Sequence, residues 1–265
     1  MPIFEREGVR VGYQVQGSGP PVVLGHSLLC DGRMWADVVP ALARRYRVIN
    51  VDFRGHGAST APRPFTMEDL AEDWLAILDR ESIERAALVG LSMGAMTAMR
   101  VALRAPDRVG AMVLLNTSAD PETKAKRLQY LAMAEIGRRI WPARFLTAVV
   151  GKIMFGRTAY RSRPDLIAEE VARIEQLDPH QLFHAIVAVC DRRSIHDRLR
   201  ELRCPTLVVV GDEDVATPPP RGERIVTEMT HASLKRLPRV GHLSAREAPD
   251  VVAKEVEAFL GPLSW

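Results

Sequence analysis

Ser92 stands at the centre of Gly90-Leu91-Ser92-Met93-Gly94, between a short apolar run, Ala86 to Val89, and a helix-forming run, Ala95 to Ala105. Strand, sharp turn and helix in that order strain the serine backbone and push its hydroxyl above the strand end, and glycines two residues to either side let neighbouring backbone come close. A serine hydroxyl is a poor nucleophile at neutral pH and needs a base within hydrogen-bond reach. Among the histidines the candidate base is His242, on a loop between Gly241 and Leu243, from which its ring can swing over the sheet edge. His26 and His56 fall at the same edge but inside glycine-containing turns, which points to a structural role. His180, His184, His196 and His231 lie in helical or helix-flanking stretches.

A histidine base in turn needs a carboxylate to orient it and to stabilise the imidazolium. Asp212, Glu213 and Asp214 follow directly on the β-branched run Leu207–Val210. Asp214 is the first candidate, Asp212 the runner-up, and Glu213 is expected to face solvent. The oxyanion of an acyl-transfer intermediate needs backbone N–H donors. By position these are Met93, after the nucleophile, and Leu28, in the loop after the Val22–Leu24 run.

These residues need elements to carry them. Residues 3–7 and 9–16 read as a hairpin around Gly8, Val22–Leu24 as a buried strand, Met34–Arg44 as a helix and Tyr46–Val51 as a strand. Thr66 precedes an acidic first turn and N-caps an amphipathic helix running to Leu78. The Ser92 strand and helix come next, then a strand over Val109–Leu115. Apolar rather than alternating strands, separated by helices, imply a largely parallel sheet covered on both faces. From Asn116 to about Ile195 the pattern is helical only, which reads as a cap of residues 120–195 inserted in an α/β core of residues 1–119 and 196–265. Strand Pro205–Val210, a helix near Pro220–Thr230, a short strand Leu234–Leu237 and a closing helix Pro249–Leu260 complete the core. The cap is basic over 120–163, with Asp120, Glu122 and Glu135 as its acids there. Most of that charge reads as solvated helix faces, and the remainder as a lining for an anionic substrate. Trp35, Trp74 and Trp141 read first as packing residues. Trp35, near the Leu28 loop, and the cap residues Trp141 and Arg138 are the candidate lining of a substrate pocket.

Composition narrows the function classes. A chain of 265 residues with 47% apolar and 26% charged residues can bury a large core, so disorder is excluded. A net charge of +3 with no aromatic-interleaved basic run gives no footprint for nucleic acid. No basic-then-apolar leader opens the chain and no apolar run reaches the ~18–20 residues of a membrane span, so a cytoplasmic protein is the default expectation. Cys30, Cys190 and Cys204 are scattered, without a metal-binding or disulfide pattern.

The segments G-H-S-L-L, D-F-R-G-H-G-A-S, G-L-S-M-G, G-D-E-D-V-A-T-P-P and G-H-L-S-A-R-E-A-P, in that order, resemble the α/β-hydrolase superfamily along nearly the whole chain. Within it the chain is similar to the 3-oxoadipate enol-lactonase group, through G-L-S-M-G, L-L-N-T-S, the segment Ala188–Leu199 and H-L-S…E-A-P. It departs from many relatives in having Ser27 after His26 and Ala95 after Gly94, and its Met154-Phe155-Gly156 matches the lactonase cap weakly. The resemblance implies an α/β-hydrolase fold and cofactor-free cleavage of a small ester or lactone by Ser92, Asp214 and His242 under a helical cap. Two other outcomes share these residues: perhydrolysis on the same triad, and a small-ligand receptor with negligible turnover. Whether the chain forms a homo-oligomer is left open.

Overall fold

The structure is a computed structural model and describes residues 2–140 and 144–265. Its chain begins with β1 (Ile3–Arg6) and β2 (Val9–Gln16), an antiparallel hairpin as the sequence predicts. Strands β3 (Pro21–Gly25), β4 (Arg47–Val51), β5 (Ala86–Leu91), β6 (Val109–Leu115), β7 (Thr206–Gly211) and β8 (Ala232–Leu237) follow. All eight join one sheet in the order β1-β2-β4-β3-β5-β6-β7-β8. From β4 to β8 every pairing is parallel, and β2 meets β4 antiparallel.

Alternate side chains of these strands point into two separate cores. Val23, Ile49, Leu88, Met112 and Val208 pack with Trp74 of α2 (Met67–Arg80), Met99 of α3 (Met93–Arg104) and Ile225 of α9 (Pro219–Glu228). Val22, Leu24, Val48, Val89 and Val209 pack on the other face with Leu42 of α1 (Val39–Leu42) and Val252 and Val256 of α11 (Pro249–Leu260). Burial on both faces is why β5, β6 and β7 have no exposed residue and read as continuous apolar runs. Helix α2 starts where expected, because Thr66 and Asp69 form a reciprocal capping box: the Thr66 hydroxyl accepts from Asp69 N–H and the Asp69 carboxylate from Thr66 N–H.

The single helix expected over Met34–Arg44 is instead a short 3-10 turn, Gly32–Trp35, and the one-turn α1. Asp31 caps the first through Arg33 N–H, and Pro40 in the first turn of α1 lacks the N–H that would have continued an earlier helix. Strand β8 begins two residues earlier than expected, at Ala232.

Between β6 and β7 lie α4 (Lys124–Ile140), α5 (Arg144–Met154), α6 (Arg157–Ser162), α7 (Pro164–Ile174) and α8 (Pro179–Cys190), with no strand among the described residues. Helix α4 packs against α8 and α5 against α7. Pro164 and Pro179 each open a helix, at the position where a missing N–H costs nothing. A 3-10 turn, His196–Glu201, leads back to the sheet, and α10 (Ser244–Glu247) links β8 to α11. No helix among the described residues is long and apolar enough to cross a membrane.

Candidate active site

Ser92 lies between β5 and α3 with φ 54° and ψ −108°, a left-handed conformation that costs a non-glycine residue ~1–3 kcal/mol. Surrounding contacts hold it there. Its N–H donates to Leu115 carbonyl at 2.9 Å, and its carbonyl accepts from the Thr117 hydroxyl at 3.0 Å and from Met96 N–H at 2.9 Å. The flanking glycines are required by contact. A Cβ on Gly94 would stand 2.1 Å from the Gly25 carbonyl oxygen, and one on Gly90 would stand 2.2 Å from Gly94 carbonyl carbon. The spacing Gly-x-Ser-x-Gly is thus a packing condition for crossing the turn.

Asp214 and His242 come from the loops after β7 and β8. His242 Nδ1 is 2.9 Å from Asp214 Oδ2. The same oxygen accepts from Asn116 Nδ2 and from the Thr217 hydroxyl, both at 2.9 Å, while Oδ1 accepts from Ala216 N–H at 2.9 Å and Thr217 N–H at 3.0 Å. Burial alone would raise this carboxyl, but the charge of His242 and the bonds from His242, Asn116 and Thr217 overcome it and hold Asp214 below the usual carboxylate range. A carboxylate ionised at neutral pH fixes the His242 tautomer with its proton on Nδ1 and leaves Nε2 as the basic nitrogen. That Nε2 atom faces Ser27 Oγ at 3.5 Å, and it makes no hydrogen bond with the Ser92 hydroxyl, although both residues line the same cavity. Such bonds are commonly long before substrate is bound.

The runner-up acid, Asp212, is turned outward to an ion pair with Arg236 at 2.8 Å. Glu213 does not simply face solvent as expected: it accepts from Thr158 N–H at 2.7 Å and the Thr158 hydroxyl at 2.9 Å. Asn116, at φ 47°, was missed. Its amide ties Asp214 to the Gly241 carbonyl, 3.1 Å away, beside His242. The available signal was the switch from the fully apolar β6 to the polar run Asn116-Thr117-Ser118.

Leu28 lies in the loop after β3, and Met93 opens α3 just beyond β5. Neither backbone N–H donates to a protein acceptor among the described residues, and Met93 sits at the N-terminus of α3, where the helix dipole adds a partial positive charge. The Leu28 loop is fixed by two histidines. His26 Nδ1 bonds Ser27 carbonyl at 2.7 Å while Nε2 accepts from Phe53 N–H at 2.9 Å. His56 Nδ1 bonds Arg54 carbonyl at 3.0 Å while Nε2 accepts from Leu29 N–H at 3.2 Å. Burial pushes His26 down to about 4 and His56 down to about 3, so both rings stay neutral.

Ser92, Leu28 and His242 open onto a cavity of about 150 Å³ roofed by α4, α5 and α8, whose lining is mostly apolar, for example Met133, Ile153 and Leu182. Arg138 lines it but is tied to Glu135 at 2.8 Å and lies over the Phe183 ring. Trp35 does not line it: the indole is fully buried under the opposite face of the sheet, in the core that holds Val38 and Leu42, because the 3-10 turn at Gly32–Trp35 directs it inward. Trp141 lies outside the described residues. Cys190 also lines the cavity, its thiol pushed by burial up to about 11 and therefore protonated. Among the described residues no cluster of His, Cys, Asp or Glu is placed to hold a metal ion.

Comparison with known proteins fits this geometry. The family described as alpha/beta hydrolase fold matches residues 20–249. A protein named 3-oxoadipate enol-lactonase 1 from Acinetobacter baylyi is 27% identical over 98% of this chain and 95% of its own. The solved enol-lactonase of Burkholderia xenovorans superposes with a TM-score of 0.91 at 29% identity, over 98% of this chain and 100% of that one. A thermophilic esterase from Thermogutta terrifontis gives a TM-score of 0.91 at 28% identity, over 98% of this chain and 96% of the other.

Proposed function

From the premise that this chain belongs to the α/β-hydrolase family, we propose that it is a serine hydrolase cleaving a small carboxylic ester or lactone through an acyl-enzyme. The observation that carries this reading is the convergence of the four loops after β3, β5, β7 and β8. A strained Ser92 and a His242 oriented by the Asp214 carboxylate share one cavity with Leu28, and the backbone N–H groups of Leu28 and Met93 donate to no protein acceptor among the described residues. Ser92 Oγ attacks the carbonyl while His242 Nε2 takes its proton, and Asp214 stabilises the imidazolium that forms. The tetrahedral oxyanion is held by the N–H groups of Leu28 and Met93. His242 returns the proton to the leaving alcohol or lactone oxygen, then activates the water that releases the acid. Residues 120–195 act as the cap that shapes the pocket, over a core of residues 1–119 and 196–265.

The favoured substrate is uncharged. The enol-lactonase likeness brings in an anionic lactone, yet the cavity wall is apolar, its Arg138 is already paired, and Glu122 lies on the same wall. Two further cap cations are occupied: Arg127 pairs with Asp191 at 2.6 Å and Arg173 with Glu170 at 2.9 Å. The test is kcat/KM for neutral short-chain p-nitrophenyl esters against a 3-oxoadipate enol-lactone, with Ser92→Ala as control. Preference for the neutral esters supports this pocket reading, and preference for the charged lactone overturns it. Full activity of Ser92→Ala on both would overturn the serine mechanism itself. Peroxide added to the ester assay distinguishes perhydrolysis, since only that chemistry yields peracid.

A further inference from the structure

A carboxyl group outside the triad joins the base loop to the helices above it. Glu247, at the end of α10, accepts through Oε2 from Gly241 N–H at 2.9 Å and from Gly156 N–H at 3.2 Å, with Oε1 3.3 Å from the same Gly156 nitrogen. Gly241 immediately precedes His242, and Gly156 is the junction between α5 and α6. Two further ties cross at this place. Leu243 N–H donates to Met154 carbonyl at 3.0 Å, and Glu213, beside Asp214, holds Thr158 through its N–H and its hydroxyl.

The two backbones touch with no side chain between them. A Cβ on Gly241 would stand 2.0 Å from Gly156 N, and one on Gly156 would stand 2.8 Å from Gly241 N. Residues 154–158 are therefore fastened to the loops of both the candidate acid and the candidate base.

We infer that Glu247 is a positioning residue, which by bridging Gly241 and Gly156 sets where His242 stands over Ser92 and couples that placement to the seating of residues 154–158. The inference rests on the serine-hydrolase reading above. A buried backbone N–H left without an acceptor is costly, so one carboxylate serving N–H groups on two segments holds the segments in register. Register matters because a displacement of ~1 Å at a catalytic group can cost ~10²-fold in rate.

The charge of Glu247 has a second effect. His242 and Asp214 both act on it electrostatically, Glu213 reaches the same Gly156, and the neighbouring Arg246 is turned away to Asp37, Glu169 and Glu170. Burial raises this carboxyl to about 7, against the pull of the Gly241 and Gly156 N–H groups and of His242. When ionised it favours the imidazolium of His242, so its removal lowers the proton affinity of the base.

The experiment measures kcat, KM and the pH profile of p-nitrophenyl acetate hydrolysis for wild type, Glu247→Gln and Glu247→Asp, with melting temperatures and Ser92→Ala as controls. In Glu247→Gln, kcat is expected to fall about tenfold or more with KM within about twofold, and the acid limb of kcat/KM to move to lower pH. Glu247→Asp keeps the charge but shortens the reach, so the limb returns toward wild type while kcat stays low. A Gln variant with unchanged kcat and limb overturns the inference. So does a variant whose kcat falls alongside its melting temperature while the limb stays put, since that is general loosening. Should the Gln variant not fold, a wild-type kcat in Glu247→Asp overturns the inference and a low one supports it. An inactive Ser92→Ala beside an unaffected Glu247→Gln sinks this inference alone, whereas an active Ser92→Ala sinks the reading beneath it.

Discussion

Three buried histidines stand at one edge of the sheet, in two regions that treat the ring in opposite ways. On the side of β3 and β4, His26 and His56 each place one nitrogen on a backbone carbonyl and the other on a backbone N–H. Every lone pair and proton is used, and burial keeps the rings neutral far below neutral pH. On the side of β7 and β8, His242 has Nδ1 on a carboxylate and Nε2 beside a cavity, with Ser27 Oγ at 3.5 Å as that second nitrogen's one hydrogen-bond partner among the described residues. A ring bonded to backbone at both nitrogens has no site left for a transferred proton and serves as a brace. One bonded to a carboxylate and open at the other nitrogen is poised as a base. What separates them is the partner of the second nitrogen.

Substitutions can break this contrast. The largest expected effect is His242→Ala, with kcat/KM for a neutral ester falling ~10⁶-fold, as losing the base of a triad does. A fall under tenfold would move the base elsewhere. Next is Asp214→Asn, which keeps the shape but removes the charge fixing the tautomer, with a loss of ~10⁴-fold in kcat. His56→Phe should act on the other region: it leaves the Leu29 N–H and the Arg54 carbonyl unpaired, lowering stability by about 1–3 kcal/mol in a thermal or urea melt. It should also lower kcat up to about 10²-fold through the misplaced Leu28 donor, far less than His242→Ala.

A fourth expectation concerns pH and stability. His26 and His56 have native values depressed to about 4 and 3, below the ordinary histidine value of 6.5. The unfolded chain therefore binds more protons between those values. Their contribution to stability is complete above pH 6.5 and is lost as pH falls toward 4 and then 3. Glu247, raised from 4.5 to about 7, runs the other way, since its native form keeps a proton the unfolded chain has lost. Its share of stability is present below pH 4.5 and is lost as pH rises through about 7. Melting curves should show Glu247→Gln gaining on wild type as pH rises across that window, and His56→Phe losing the acid-side slope of one ring. The smallest effect is expected of Arg138→Ala, about twofold in kcat/KM for a neutral ester, because its guanidinium is already tied to Glu135 at 38% side-chain exposure.

Much of this was legible in the chain itself. The apolar runs of β3, β5, β6 and β7 admit few alternatives, since strands buried on both faces need no polar alternation. Gly90 and Gly94 marked a close crossing, and Asp214 and His242 followed their strands in the order the fold uses. The helix expected at Met34–Arg44 failed because a capped 3-10 turn and Pro40 compete locally with an apolar helical period. Trp35 failed as a pocket residue for a related reason: nearness in sequence to the Leu28 loop does not fix which side of the sheet an indole enters. Glu213 looked like a surface acid because nothing in its surroundings announces Thr158, more than fifty residues away.

The sequence by itself determined the layered sheet, the strained serine turn and the residue types able to move a proton, because period, turn chemistry and side-chain chemistry are local. Only the tertiary structure decided which acid and which histidine meet. Asn116, Asp214 and the Gly241–His242 loop come from three strands that are neighbours in the sheet or next to it but far apart in the chain. It also decided that His26 and His56 are braces, that Arg127, Arg138, Arg139 and Arg173 pair with carboxylates of the same helical region, and that Glu247 fastens the Gly241–His242 loop to Gly156. Each of these depends on which polar atoms are brought together out of water, and a hydrogen bond across the fold leaves no periodicity in the chain.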